Sequence, residues 1–273
     1  MVSEGAGPRA QPSSSKGVLA LRSALPKLQR MENYGQFCPV AQAAEIVTRR
    51  WMPLVIRELL CGSHRFNDLH RGVPRMSRAL LVRRLSELEL AGVIERRLAD
   101  GHDHAEYHLT QAGEELRPII FQLGFWGKRW VHHEVSRDRL DAGLLMWDMQ
   151  RCIQRDRLPL HRVVVHFEFA DAPRGNQHYW LVLMPGEVDL CLKDPGGDSD
   201  LVVCASTRSL TEVWLGDLPF AHALRTDAVR LHGRRELQRL LPEWLGLSVF
   251  AGEKRRSLSG SATDRDEQAT HGA

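Results

Sequence analysis

The chain has 273 residues, of which 43% are hydrophobic and 26% are charged, and this composition excludes a wholly disordered chain or a fibrous repeat. The net charge of +3 divides unevenly, with +2 in residues 34–135 and −3 in residues 140–250, so any contact with nucleic acid is expected in the first half. No apolar run reaches the roughly eighteen residues of a membrane span, and the apolar stretch at 17–21 lacks the cleavage site of a signal peptide. The 5 cysteines are scattered, as is typical of reduced thiols in a cytoplasmic protein.

Both ends of the chain are predicted to be disordered. Residues 1–33 are rich in Gly, Pro, Ser and Gln and lack the apolar side chains that would offset the entropy of folding, and residues 251–273 are similarly polar. Translation from Met1 and translation from Met31 are both compatible with this pattern.

Residues 39–92 have the pattern of four short helices. Pro53 suits the first turn of the second helix, and Asn67 is a good N-cap for a third, very short one. Ser77 caps the fourth helix, whose apolar side chains recur at spacings of four and three and predict one buried face. That face consists of Leu81, Leu85 and Leu88.

After Gly92 the apolar period changes to two. Residues 93–97 and 106–109 predict two strands joined by a polar loop with an Asp100-Gly101 turn signal. Thr110 then caps a long helix, which Pro118 is expected to kink. The apolar face of this helix consists of Leu116, Ile120, Leu123, Trp126 and Trp130.

Helices followed by a hairpin, in this order, predict a winged helix-turn-helix whose fourth helix enters the major groove of DNA. Ala79, Val82 and Arg83 lie opposite the leucines, and residues 75–97 contain six arginines against three glutamates. The alternative interpretation is a solvated, charged helix face. The DNA-binding candidates are Arg65, Arg75, Ser77, Arg78, Arg83, Arg84, Arg96 and Arg97.

Many separated motifs in residues 34–130 resemble the HxlR-type winged-helix transcription regulators. They include Cys38-Pro39-Val40, Arg50-Trp51, Arg65-Phe66-Asn67-Asp68-Leu69, Arg84-Leu85, Gly92-Val93-Ile94-Glu95-Arg96 and Leu109-Thr110. The resemblance implies a homodimer that binds a palindromic operator in double-stranded DNA, with the helix after Thr110 in the dimer interface. One departure is Thr48-Arg49, where many members have a glycine in the turn.

Cys38 is the one thiol for which a role is predicted. The resemblance implies a cysteine at this position that some members use as a redox or electrophile sensor. The N-terminus of the first helix would favour its thiolate, and the alternative is an inert, partly buried cysteine.

Residues 140–250 predict a second domain of alternating strands and helices. It resembles the sterol-carrier-protein-like fold, in which a mixed sheet with helices against one face encloses an apolar tunnel, and Trp214-Leu215-Gly216-Asp217 carries part of that resemblance. The alternative is a filled core. The candidates for lining a tunnel are Val163, Val165, Phe167, Tyr179, Leu181 and Trp214.

The sequence contains no Gly-x-Ser-x-Gly motif, P-loop or dinucleotide fingerprint, so no enzyme activity and no cofactor are predicted. His102, His104 and His108 lack metal-ligand spacing, and the acidic run at 194–200 lacks the twelfth-position glutamate of an EF-hand, so no metal is predicted either.

Taken together, the sequence predicts an α+β protein with a disordered extension (1–33), a winged helix-turn-helix domain (34–135), a sterol-carrier-like domain (140–250) and a disordered tail (251–273). The predicted function is a cytoplasmic, homodimeric, DNA-binding transcription regulator whose second domain senses a small apolar ligand. One alternative is a redox regulator that is switched through Cys38 and has a purely structural second domain. Another is a lipid carrier with a vestigial helix-turn-helix, against which the arginines of the fourth helix argue.

Overall fold

A computed structural model describes residues 33–98, 105–131 and 140–256. These described residues form two compact units, the first within residues 33–66 and 76–116 and the second within residues 67–75 and 117–256. Among the described residues, no helix is both long enough and apolar enough to cross a membrane.

The first unit is a winged helix-turn-helix built from short helices and one hairpin. Its elements are α1 (Pro39–Val47), α2 (Met52–Leu60), the first residue of α3 (Phe66–Gly72), α4 (Arg78–Leu90), β1 (Ile94–Leu98), β2 (Ala105–Leu109) and α5 (Gln111–Glu114). Strands β1 and β2 pair antiparallel, which confirms the predicted hairpin. The Asp100-Gly101 turn, His102 and His104 lie outside the described residues.

Local signals explain where these helices begin and end. The hydroxyl of Ser77 accepts a hydrogen bond from the amide of Leu80 at 3.3 Å and caps α4, as predicted. Gly92 follows α4 with a φ of +71°, a conformation that favours glycine. Helix α3 begins at Phe66 rather than after an Asn67 cap.

The turn between α1 and α2 contains no glycine, and Trp51 adopts the left-handed conformation there with a φ of +78°. Thr48, at the site where related sequences carry glycine, has an ordinary φ of −89°. In this turn the left-handed residue is therefore Trp51 and not Thr48.

The core of the first unit is apolar and comes mainly from α2, α4 and β1. Its fully buried members include the three predicted leucines of α4 together with Met52, Val55, Ile56, Leu59, Met76 and Ile94.

The second unit contains a five-stranded mixed sheet and several helices. Its strands are β3 (Val163–Phe169), β4 (His178–Met184), β5 (Glu187–Cys191), β6 (Leu201–Ala205) and β7 (Val229–Gly233). Its helices are α6 (Arg117–Trp130), α7 (Ala142–Cys152), α8 (Thr207–Trp214), α9 (Phe220–Arg225) and α10 (Arg235–Trp244), with a short 3-10 turn at Arg155–Arg157. The strand order is β5-β4-β3-β6-β7, with β3 and β6 parallel and the other pairs antiparallel.

The two faces of this sheet differ in chemistry. Val163, Val165 and Phe167 of β3 are fully buried in the core cluster, together with Tyr179 and Leu181 of β4. The alternate residues of the same strands point to the other face, because successive side chains of a strand alternate. That second face carries His166, Glu168, His178, Trp180 and Cys204.

Two sequence predictions for the C-terminal side of the wing need correction. The helix after Thr110 is interrupted at residues 115–116, so that α5 and α6 are separate helices. Pro118 is the second residue of α6, where a missing amide costs nothing, and it therefore begins a helix instead of kinking one.

Two residues within the predicted tail, Glu253 and Arg256, contact Arg129 of α6. The amide of Arg256 donates to the carbonyl of Arg129 at 2.9 Å, and Glu253 forms a two-point ion pair with the same arginine at 2.8 and 2.9 Å. Residues 1–32, 132–139 and 257–273 lie outside the described residues, so the predictions made for them stay predictions.

Candidate nucleic-acid interface

Helix α4 presents a continuous exposed face opposite its buried leucines. Arg78, Ala79, Val82, Arg83 and Ser86 are all exposed, and Val82 retains 51% of its accessible surface. Small side chains at 79 and 86 leave the backbone accessible to a base-pair edge, with arginines on either side of them.

A buried carboxylate organises several of the neighbouring arginines. Glu87 is only 8% exposed, and its oxygens lie 3.7 Å from Arg49, 3.0 Å from Arg83 and 2.5 Å from Arg84. One negative charge therefore meets three positive charges, and the cluster keeps a net positive charge beside the exposed face of α4. The spacing from Glu87 to Arg83 and Arg84, four and three residues, is the signal in the sequence that could have revealed this cluster.

Arg83 and Arg84 have different environments within the cluster. The side chain of Arg83 is 71% exposed, whereas that of Arg84 is 14% exposed. Arg84 also donates from Nε to the carbonyl of Arg50 at 3.1 Å, which ties α4 to the turn before α2. Arg84 is also a predicted DNA-binding residue, and its guanidinium is engaged by Glu87 and by the carbonyl of Arg50.

Three further candidates lie around the start of α4. The guanidinium of Arg78 lies over the ring of Phe66 at 5.5 Å, a cation–π contact that orients it. Ser77 is exposed and its hydroxyl is engaged as the helix cap. Arg75 is exposed and belongs to the second unit.

The wing carries a second basic patch. Arg96 and Arg97 are exposed on β1, and Arg97 forms an ion pair with Glu95. Arg65 donates from Nε to Glu106 at 3.3 Å, and this hydrogen bond is the main reason why the pKa of Glu106 is lowered. His108 contacts Glu106 at 3.3 Å and stacks on His64 with ring centroids 4.3 Å apart, so its ring is held by protein groups.

The predicted dimer residues differ in exposure, and Leu116 precedes α6. Ile120 is buried, while Leu116 and Trp130 are half-buried, and Trp130 contacts the guanidinium of Arg256 at 5.9 Å. Leu123 and Trp126 are 54% and 56% exposed. Ile119, which was not among the predicted dimer residues, is 57% exposed and extends this pair into a strip with helical spacing.

Cys38 lies at the N-cap position of α1 and is partly exposed. Its side chain makes no capping hydrogen bond, and its carbonyl accepts from the amide of Gln42 at 3.1 Å.

The six candidates for a ligand tunnel separate into two groups. Val163, Val165, Phe167, Tyr179 and Leu181 are all buried in the packed core cluster. Trp214 instead lines a cavity of about 240 Å³ together with Met149, Val213, Leu218, Phe220, Leu245 and Leu247. The indole nitrogen of Trp214 is buried and has no hydrogen-bond partner among the described residues.

The fold and the exposed basic helix of the first unit define a winged helix-turn-helix protein. Residues 46–135 match the family described as HxlR-like helix-turn-helix. The HTH-type transcriptional regulator YvaP of Bacillus subtilis strain 168 is 36% identical over 101 residues, which are 36% of this chain and 94% of YvaP. YtfH of Escherichia coli K12, a regulator of the same type, is 33% identical over 94 residues, which are 34% of this chain and 75% of YtfH. The chain therefore belongs to the HxlR-like helix-turn-helix family of transcriptional regulators.

Solved structures are similar over the same part of the chain. The reduced form of the transcriptional regulator YodB from B. subtilis is 28% identical, and the match covers 34% of this chain and 93% of YodB with a TM-score of 0.30. YvaP, YtfH and YodB thus each match about a third of this chain.

Proposed function

We propose that the protein regulates transcription as a homodimer that reads a palindromic operator through α4. The observation that supports this proposal most directly is the two-sided character of α4, with its leucines fully buried and Arg78, Val82 and Arg83 exposed on the opposite face. A helix of this kind, followed by a hairpin with two exposed arginines, suits the major groove with the wing near the phosphate backbone.

The proposed contacts divide by type. Arg83 and Arg78 are assigned to base edges or nearby phosphates, and Arg96 and Arg97 of the wing to phosphates. Arg65, Arg75 and Ser77 are assigned to phosphates of the DNA backbone near the start of α4. Arg84 is assigned to the protein scaffold, because the carboxylate of Glu87 and the carbonyl of Arg50 already engage it.

Selection of bound fragments from genomic DNA by the purified full-length protein tests this proposal. The expected result is an inverted-repeat motif whose half-sites lie about one helical turn apart, 10–10.5 base pairs. Recovery of fragments without a shared motif, or of the same fragments by an Arg78→Ala/Arg83→Ala double variant, would contradict it.

A second proposal concerns the effector. The second unit combines a mixed sheet with an apolar core on one face, as a sterol-carrier-like domain requires. We assign ligand binding to the cavity beside Trp214 rather than to the interior of the sheet, because the other candidates are packed side chains. Its volume of about 240 Å³ suits a small apolar molecule, and the unpartnered indole nitrogen suits a ligand with one hydrogen-bond acceptor.

Native mass spectrometry of the protein purified from cells tests the effector proposal. A bound small apolar compound that is lost in Trp214→Phe, which keeps an aromatic ring but removes the donor, is the expected result. The extracted compound should also change operator affinity, because an effector must bind the DNA-competent and DNA-incompetent states unequally. A cavity that is always empty, with no apolar compound raising the melting temperature, would favour a filled core.

The redox alternative depends on Cys38, whose partial exposure leaves the thiol accessible to oxidants. In this case an oxidant such as diamide should change operator binding by the wild type and not by Cys38→Ser. Equal responses of the two proteins would exclude a switch at this thiol.

A further inference from the structure

The outer face of the second unit's sheet brings together three side chains with metal-binding chemistry. The antiparallel pairing of β3 and β4 places Glu168 directly opposite His178 and His166 opposite Trp180. His166 and Glu168 are two residues apart on one strand and so share this face. Their proximity to His178 depends on the register of the hairpin and cannot be read from sequence spacing.

The three side chains are close enough to share one ion. His166 Nε2 lies 3.1 Å from His178 Nδ1, and the other ring nitrogen of His166, Nδ1, lies 3.6 Å from Glu168 Oε1. One imidazole supplies one nitrogen to an ion, so one of these two contacts must give way when the ion binds. One ligand atom of each residue lies within 4.8 Å of the others. Because zinc binds imidazole nitrogen and carboxylate oxygen at about 2.0–2.2 Å, ligand atoms around a tetrahedral ion are about 3.3–3.6 Å apart. A small rotation of the side chains would therefore be enough to hold an ion.

Neighbouring residues already orient two of the three ligands. The ring of His166 stacks on Trp180 with centroids 4.7 Å apart and an interplanar angle of 4°. The thiol of Cys204 donates to Glu168 Oε2 at 3.2 Å, which leaves Oε1 facing His166. Such outer contacts fix ligand orientation in metal sites.

The group borders an open cavity. Glu168, His178 and Cys204 line a cavity of about 500 Å³, and Arg230, Ser206 and Asp227 line it as well. An ion held by three protein ligands would therefore have a position open to water or to a small anion, which Arg230 could attract.

We propose that His166, Glu168 and His178 bind one divalent transition-metal ion of the zinc class, with an open coordination position facing this cavity. Two imidazoles and one carboxylate favour such an ion over Mg²⁺ or Ca²⁺, which prefer all-oxygen sites. This proposal is independent of the function assigned to α4.

Titration of the chelator-stripped full-length protein with Zn²⁺, in competition with a chromophoric chelator, tests the proposal. The wild type should bind one ion per chain that Mg²⁺ does not displace, and His178→Ala and Glu168→Gln should each weaken this binding by at least about tenfold. His232→Ala is the matched control, because His232 is exposed on the same face of the sheet, on β7. Titration with Co²⁺ gives a second readout, since the visible absorption of a bound cobalt ion should disappear in His178→Ala.

The test uses two variants that are expected to fold. His178 is exposed, and Glu168→Gln preserves the size of the side chain. Both variants keep the stacked ring of His166, so they should retain the circular dichroism of the wild type. Equal zinc affinity and stoichiometry in the wild type, His178→Ala and Glu168→Gln would overturn the site. Displacement of Zn²⁺ by millimolar Mg²⁺ would overturn the assigned class of metal.

Discussion

Arg83 and Arg84 are adjacent in the sequence and both contact Glu87, but their side chains have different environments. Arg83 keeps most of its side chain in solvent, whereas Arg84 is largely buried between Glu87 and the carbonyl of Arg50. A guanidinium with accessible donors can form a bidentate contact with guanine or a phosphate. Loss of the buried guanidinium of Arg84 would leave the carboxylate of Glu87 with fewer partners.

The first prediction compares these two residues. Arg83→Ala should weaken specific DNA binding by about 1–3 kcal/mol with an unchanged melting temperature, since it removes one exposed contact. Arg84→Ala should lower the melting temperature, because it removes the hydrogen bond that ties α4 to Arg50 and one ion-pair partner of the buried Glu87. Fluorescence anisotropy with a selected operator and thermal unfolding measure the two effects.

Arg239→Ala is the matched control, since Arg239 is an exposed arginine on α10 of the second unit. It should leave both properties unchanged. If Arg84→Ala proved as stable as the wild type and lost DNA affinity instead, the structural role assigned to Arg84 would be wrong.

At the scale of elements, α6 is held by the segment that follows α10. The ring of Phe250 packs edge-on against Phe125 with centroids 5.2 Å apart. A Cβ atom placed on Gly124 would lie 2.4 Å from the Phe250 ring, which is too close for any real contact. Gly124 is therefore required for the close approach of this ring to the helix.

The second prediction is a coupling between these two positions. Gly124→Ala should destabilise the protein by about 1–3 kcal/mol through overpacking. In a Phe250→Ala background the same change should cost much less, because the added methyl group occupies the space that the ring has left. Urea unfolding of the four proteins in the cycle measures the coupling.

Gly127 provides the control on the same helix, because a Cβ there would meet nothing within 4 Å. Gly127→Ala should be neutral or stabilise the protein by up to about 1 kcal/mol, as alanine favours helix. A cost of Gly124→Ala that is the same with and without the Phe250 ring would show that this contact does not explain the glycine.

The third prediction concerns pH and the ion pair between α6 and residue 253. The hydrogen bonds from Arg129 lower the pKa of Glu253 below its ordinary value of 4.5. The folded state therefore binds this proton less readily than the unfolded state, so the pair stabilises the protein above about pH 4.5 and the stabilisation is lost as the pH falls through the folded pKa. Glu253→Gln should be less stable than the wild type at neutral pH, and the difference should shrink in acid.

Melting temperatures of both proteins from pH 7 down to pH 3 check this prediction. Glu243→Gln removes an exposed carboxylate from α10 and should show a smaller change over the same range. A stability difference for Glu253→Gln that is constant with pH would mean that the charge of Glu253 contributes nothing.

For the whole molecule, the sequence predicts the order of elements better than the environment of individual side chains. Alternation and capping residues correctly predict the four short helices and the hairpin of the first unit and the mixed strands and helices of the second, because these signals are local. The break before Pro118 was predicted as a kink, since the same residue fits a helix start and a helix bend.

The features that the sequence could not predict depend on residues that are far apart in the chain. The different environments of Arg83 and Arg84 depend on the position of Arg50. The proximity of His166 to His178 depends on the register of β3 and β4. Packed and hollow interiors have the same apolar alternation, so Val163 and Phe167, which are buried in the core cluster, fit a tunnel lining and a filled core equally well.

The last prediction concerns assembly, because a palindromic operator is read by two copies of the helix-turn-helix. Leu123, Trp126 and Ile119 of α6 are each more than half exposed and form an apolar strip that a second copy would cover. Leu123→Glu should therefore convert the dimer to a monomer in analytical ultracentrifugation, since it places a charge in the buried interface. Specific operator affinity should fall by roughly 10²–10⁴, because the two half-sites are then bound independently. Gln122→Glu adds the same charge at an exposed neighbouring position and should leave the dimer intact. A Leu123→Glu protein that remains dimeric at micromolar concentration would show that the dimer forms through another surface.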